Sequence, residues 1–121
     1  MSGKTILLVD DSMAVRRAVA LMLGADYECL QAADGRQALG LLQENEVDLV
    51  IADLHMPVMD GFELIREMRK DRTYRFTPVL VLTTEGREEV IADLKRVGVT
   101  GVLQKPVERD SLLAAVRRAL G

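Results

Sequence analysis

With 121 residues, 49% of them hydrophobic, and a net charge of -3, the chain has the size and composition of one domain around one core. That balance excludes a disordered segment, and the acidic total argues against a nucleic-acid binder, which carries a basic face. A single cysteine, Cys29, excludes an internal disulfide and fits a reducing cytoplasmic setting, and the apolar run after Met1-Ser2-Gly3-Lys4 is too short for a signal peptide or membrane span.

The first strand is predicted over Thr5–Val9, where Ile6-Leu7-Leu8-Val9 runs into Asp10 and Asp11. Ser12 can cap the helix that follows, with Val15, Ala18, Val19 and Met22 on its apolar side and Gly24 at its C-terminal end. A second, more mixed strand is predicted over Tyr27–Gln31, with Cys29 as a small buried hydrophobe. Asp34 precedes the second helix, which turns Ala38, Leu41 and Leu42 inward. The third strand, Asp48–Ala52, ends on Asp53. Asp60-Gly61 opens the third helix, with Phe62, Ile65 and Met68 inward, and Met56 and Met59 fill gaps nearby. The fourth strand, Pro78–Leu82, ends at Thr83-Thr84. Glu85 and Gly86 precede the fourth helix, whose inward residues are Val90, Leu94 and Val97, with Gly98 after it. The fifth strand, Gly101–Gln104, meets Lys105-Pro106, and the last helix carries Leu112, Leu113, Val116 and Leu120.

Strands that alternate with single helices form a parallel sheet with right-handed crossovers. A Rossmann-type half and a flavodoxin-like sheet both fit. Five units in this length favour the second: an α/β, flavodoxin-like (βα)5 three-layer sandwich of strand order 2-1-3-4-5, with residues 1–121 as one domain. The continuous first, third and fourth runs suit strands covered on both faces, and the mixed second and fifth suit edges. Strands 1 and 3 then flank the switch point, so Asp10, Asp11 and Asp53 meet where ligands bind in such sheets.

A cluster of carboxylates is costly unless a cation neutralises it. Mg²⁺ takes one or two carboxylates, waters and phosphate oxygens. Asp11 and Asp53, with a backbone carbonyl after strand 3, can supply that shell, and Asp10 can join through water. The hydroxyl of Thr83 and the ammonium of Lys105 reach the same edge and suit a dianionic phosphoryl group. A carboxylate facing that cradle can attack phosphorus and form an aspartyl phosphate, and Asp53 is the central candidate. A cis Lys105–Pro106 bond would aim the lysine into the site, although most X-Pro bonds are trans.

Four segments, Leu8-Val9-Asp10-Asp11-Ser12, Asp53 through Gly61, Leu82-Thr83-Thr84 and Lys105-Pro106, resemble the receiver domains of two-component response regulators, in order and spacing over essentially the whole chain. The resemblance implies Asp53 as phosphoacceptor and Asp10 and Asp11 as the acidic pair holding Mg²⁺, with the backbone carbonyl of His55 as a further ligand. It implies Thr83 as the switch hydroxyl and Lys105 as the family's lysine. His55 and Glu85 would tune the lifetime of the phosphorylated state. The phosphodonor would be a sensor histidine kinase or a phosphotransfer protein. The chain departs from the pattern at Val102, where receivers often carry Tyr or Phe that rotates inward as the threonine moves.

Each residue also has a plainer reading. Asp10 and Asp11 could simply start a helix, and Lys105 could be a solvated surface lysine. Arg16 and Arg17 read as a solvated helix face, with kinase contact as the sharper alternative. Taken together, the motifs imply a stand-alone, cytoplasmic, chemotaxis-type regulator that is not an enzyme, a monomer or phosphorylation-dependent dimer with no direct nucleic-acid contact and no membrane insertion. Its output would run to a downstream protein through the face of helix 4, strand 5 and helix 5. The alternatives are a receiver from a longer DNA-binding regulator and an aspartate-nucleophile phosphatase. The latter expects its nucleophile at the end of strand 1 with a second Asp two residues on, where this chain has Ser12.

Overall fold

The computed structural model describes residues 3–121. Its strands are β1 (Thr5–Val9), β2 (Glu28–Ala32), β3 (Leu49–Ala52), β4 (Val79–Thr83) and β5 (Gly101–Gln104), alternating with α1 (Met13–Leu23), α2 (Gly35–Glu44), α3 (Gly61–Lys70), α4 (Glu88–Arg96) and α5 (Arg109–Leu120). All strand pairs are parallel, in the order β2-β1-β3-β4-β5 expected from the alternation. The mixed β2 and β5 are indeed the edges.

Period-two alternation divides the core into two layers. Leu7, Val9, Val50, Ala52, Val79 and Val81 face Ala38 and Leu42 of α2, Leu64, Ile65 and Met68 of α3, and Leu94 of α4. Ile6, Leu8, Leu49, Ile51, Leu80 and Leu82 face Val19 and Leu23 of α1 and Leu112 and Val116 of α5. The central strands are therefore apolar through Ile6–Val9, Leu49–Ala52 and Val79–Leu82, because each face is covered.

Several boundaries differ from the sequence reading by one residue. β2 begins at Glu28 because a 3-10 turn, Gly24–Asp26, lengthens the exit from α1; Gly24 begins that turn at φ 70, which favours glycine. Asp48 stands outside β3 and accepts the Thr5 N–H through its carboxylate at 2.8 Å. Pro78 has no N–H for the ladder, and Thr83 closes β4 by pairing with Gln104. Ala18 is exposed, since the packed stripe of α1 runs through Val19 and Leu23. Leu64 is fully buried on α3, whereas Phe62 is only partly covered.

Loop Asp71–Pro78 is pinned from two sides. The buried Tyr74 hydroxyl lies 2.6 Å from the Leu42 carbonyl and 2.5 Å from that of Asn45. Arg69 donates to the carbonyls of Tyr74, Thr77 and Gly98. Tyr74→Phe removes the hydroxyl bridge and is expected to cost about 1–2 kcal/mol in urea unfolding; an unchanged midpoint would show that the bridge adds nothing net.

Candidate functional site

The carboxyl ends of the strands converge as the alternation requires. Asp10 and Asp53, both buried, follow β1 and β3 directly. The Asp53 N–H donates to the Val9 carbonyl at 2.8 Å and the Asp10 N–H to the Ala32 carbonyl at 3.1 Å, so the ladder continues through both acids and fixes their backbones. Asp11 is exposed at the mouth. One carboxylate oxygen from each of Asp10, Asp11 and Asp53 lies within 4.8 Å of the others.

Lys105 enters from the end of β5, and its bond to Pro106 is cis. Its ammonium sits 2.8 Å from Asp10 Oδ2 and 3.3 Å from Asp53 Oδ2. Burial disfavours the ammonium, but the hydrogen bond it donates to Asp10 and the fields of Asp53 and Asp10 outweigh that cost and lift its pKa above the usual lysine value. A raised folded pKa contributes stability that is fully present below the unfolded pKa and lost as pH rises through the folded value. Lys105→Met is therefore expected to destabilise at pH 8 but to approach wild type once the pH has risen past the raised lysine pKa, with denaturant midpoints as the readout. Equal differences at both pH values would contradict the pairing.

Three carboxylates against one ammonium leave a local excess of two negative charges, a donor set of oxygen atoms that fits a hard divalent cation. The Asp53 carboxylate is held in plane by the Leu54 N–H on Oδ1 at 2.7 Å, and Asp10 Oδ1 accepts the Ser12 N–H at 2.9 Å. Ser12 itself caps α1 as expected, accepting from the Val15 N–H. Thr83 is fully buried at the end of β4, its Oγ1 accepting the Glu85 N–H at 3.1 Å.

Glu85 and His55 flank the mouth. Arg87 grips Glu85 through Nε at 2.8 Å and Nη2 at 3.0 Å, and these bonds hold the Glu85 carboxyl down to about 2. The exposed His55 imidazole is 3.7 Å from Glu85. Val102 stands opposite Val81 in β5 and is partly buried against the α2–α4 layer, where a larger aromatic is absent. Cys29 is half-buried against the α1–α5 layer, and burial pushes its thiol pKa up, as suits a packing residue.

Three contributors escape sequence reading. Arg16 is not simply solvated: it donates to the Asp10 carbonyl and to Gln31 Oε1, tying α1 to the site and to β2. Gly61 lies so close to Asp53 that a Cβ there would sit 2.5 Å from the Asp53 carbonyl oxygen and 3.1 Å from Leu54 Cα. A glycine at the first position of a helix that otherwise begins with a complete Asp60–Glu63 capping box is the signal that points to it. Gln104 donates its amide to the Glu85 carbonyl at 2.8 Å, linking β5 to the loop before α4.

The response regulator receiver domain model matches residues 6–117. Chemotaxis protein CheY-3 of Vibrio cholerae is 37% identical over 109 residues, spanning 88% of this chain and 84% of that protein. The phosphate regulon regulatory protein PhoB of Pseudomonas aeruginosa is 34% identical over 99% of this chain, which spans only 53% of PhoB, so the chain covers about half of that relative. Among solved structures, V. cholerae CheY4 superposes with a TM-score of 0.93 at 44% identity, covering 98% of this chain and 99% of that one. The receiver domain of a P. aeruginosa sensor histidine kinase, with magnesium coordinated in its active-site cleft, superposes with a TM-score of 0.90 at 29% identity, covering 98% of each chain. With residues 6–117 matched and the acidic cleft in place, the chain belongs to the response regulator receiver domain family.

Proposed function

We propose that the chain is a single-domain regulator, spanning residues 1–121, that accepts a phosphoryl group on Asp53 and passes the change to a protein partner. The observation that carries this is the convergence of three carboxylates within 4.8 Å, two of them bridged by Lys105. Asp11, Asp53 and the His55 carbonyl would hold Mg²⁺, with Asp10 joining directly or through water. The ion, when bound, neutralises charge on the cluster and on the incoming phosphoryl oxygens.

A free Asp53 carboxylate oxygen attacks phosphorus as the nitrogen–phosphorus bond of a donor phosphohistidine breaks, and the departing imidazole carries the electron pair. Leu54 N–H keeps the nucleophile oriented. Lys105, already between Asp10 and Asp53, is positioned to take a phosphoryl oxygen as a point cation. The Thr83 hydroxyl donates to another. Because Thr83 Oγ1 also accepts from Glu85, a shift of the threonine pulls on the loop before α4, and Gln104 passes that pull to β5. This polar link offers a route to the α4–β5–α5 face that does not need an aromatic at Val102. Phosphorylation then biases an existing two-state equilibrium.

The donor is a sensor histidine kinase or phosphotransfer protein in the cytoplasm. No helix among the described residues is long and apolar enough to cross a membrane. An apolar groove of about 300 Å3 between α1 and the Lys105–Val107 segment, walled by Val15, Ala18 and Met22, supports docking of the donor beside the site. The oligomeric reading is a monomer or a phosphorylation-dependent dimer, with no nucleic-acid contact by this domain.

The test is incubation with acetyl phosphate with and without Mg²⁺. Expected is one Mg²⁺-dependent phosphoryl group per chain, released by hydroxylamine as an acyl phosphate is. Multiple turnovers of a sugar phosphate would instead favour the phosphatase reading.

A further inference from the structure

The end of the sheet remote from the acidic site carries an open cleft of about 780 Å3, at the starts of β4 and β5 and the C-terminal ends of α3 and α4. That volume is in the range of small-ligand sites. Arg66, Arg69, Lys70, Arg75 and Arg96 line it, and no carboxylate does. Such a concentration is unexpected in a chain with 16 basic and 19 acidic residues.

Helix ends explain part of it. Arg69 and Lys70 occupy the last turn of α3 and Arg96 that of α4, where cations complement the helix dipole. Arg69 is also committed to the Tyr74, Thr77 and Gly98 carbonyls. Helix ends do not explain Arg66, one turn earlier, whose guanidinium lies over the Phe62 ring. Nor do they explain Arg75, which stands in the loop with no hydrogen bond or ion pair among the described residues. Lys70 and Arg96 are held only by exposed pairs to Glu67 and Asp93, which are weak and exchange readily. Beside Arg75, Phe76 is 88% exposed. A ring so exposed gains little from packing, yet it offers a flat face next to an unpartnered guanidinium.

We propose that this cleft binds a nucleotide carrying two or more phosphate groups, its base stacked on Phe76 and its phosphates held by Arg66, Lys70, Arg75 and Arg96. Phe76 favours a nucleotide over bare polyphosphate, because stacking needs a base. The net charge of -3 favours a compact ligand over a nucleic-acid strand, because a strand leaving the cleft meets the acidic remainder of the surface.

The test is titration of the intact chain with ATP, followed by amide NMR, in EDTA so that no divalent ion recruits phosphate to the acidic site. Expected are saturating shifts confined to residues 66–78 and 96–100, with affinity falling about tenfold or more in Arg75→Glu and in Phe76→Ala. Both side chains are exposed, so both variants keep the fold. Phe76→Ala should retain tripolyphosphate binding, and Asp53→Asn should bind ATP as wild type does. The absence of saturating shifts there up to about 5 mM ATP overturns the proposal. So does equal affinity for tripolyphosphate and ATP, indifference to Arg75→Glu, or tighter binding of a single-stranded RNA than of ATP.

Discussion

Asp53→Asn is expected to abolish phosphoryl incorporation from acetyl phosphate while leaving the chain folded. An amide oxygen is too weak a nucleophile to attack phosphorus, so labelling should drop about a hundredfold or more. The fold should survive because the asparagine oxygen can still accept the Leu54 N–H now bonded to Asp53 Oδ1, and one like charge leaves the Asp10–Asp11 cluster. Asp11→Asn should act differently. Asp11 is exposed at the mouth, so its loss should raise the Mg²⁺ concentration needed for labelling without removing the nucleophile. Labelling of Asp53→Asn at the wild-type level would sink the assignment, whatever the Mg²⁺ dependence.

Gly61→Ala should lower both stability and labelling. The added Cβ would lie 2.5 Å from the Asp53 carbonyl oxygen, and both partners of the clash are backbone. Neither can step aside as a flexible side chain could: the Asp53 N–H is held by Val9 and the Gly61 N–H by the Leu54 carbonyl at 2.9 Å. Helix propensity favours alanine by up to about 1 kcal/mol, whereas overpacking of this kind costs about 1–3 kcal/mol or more, so the clash wins. Thermal unfolding should move down by roughly 5–10 °C, and labelling should fall as well because the shift reaches the Asp53 backbone. A melting temperature within a degree of wild type would mean that α3 relaxes away freely.

Sequence alone was sufficient where chemistry is written in local pattern. Apolar runs ending on Asp10, Asp53, Thr83 and Lys105 identify both the strands and the residues that now share one edge, and the predicted strand order is the observed one. What was not legible depends on contacts between distant segments. The pairing of Arg16 with Gln31 and the Gln104 link to Glu85 join positions 15 and 19 residues apart, and nothing local to either segment signals them. The basic cleft was hidden for the same reason. Its cations come from α3, a loop and α4, and the net charge averages them against acids elsewhere. Boundary shifts arose at Gly24–Asp26, where a turn prolonged the helix beyond its glycine.

The two helices on either side of β4 are anchored very unequally. α3 buries Gly61, Leu64, Ile65 and Met68 and begins with a capping box. α4 fully buries Leu94 alone and starts at Arg87 with no side-chain cap. Hydrogen exchange reports that difference as time: α4 amides should exchange through local openings well below the global unfolding energy, while α3 amides wait for larger ones. A partner that engages the proposed output face must then select the fraction of molecules with α4 in place. Its apparent affinity is weakened by that fraction, and anything that firms the loop before α4 tightens binding without adding a contact.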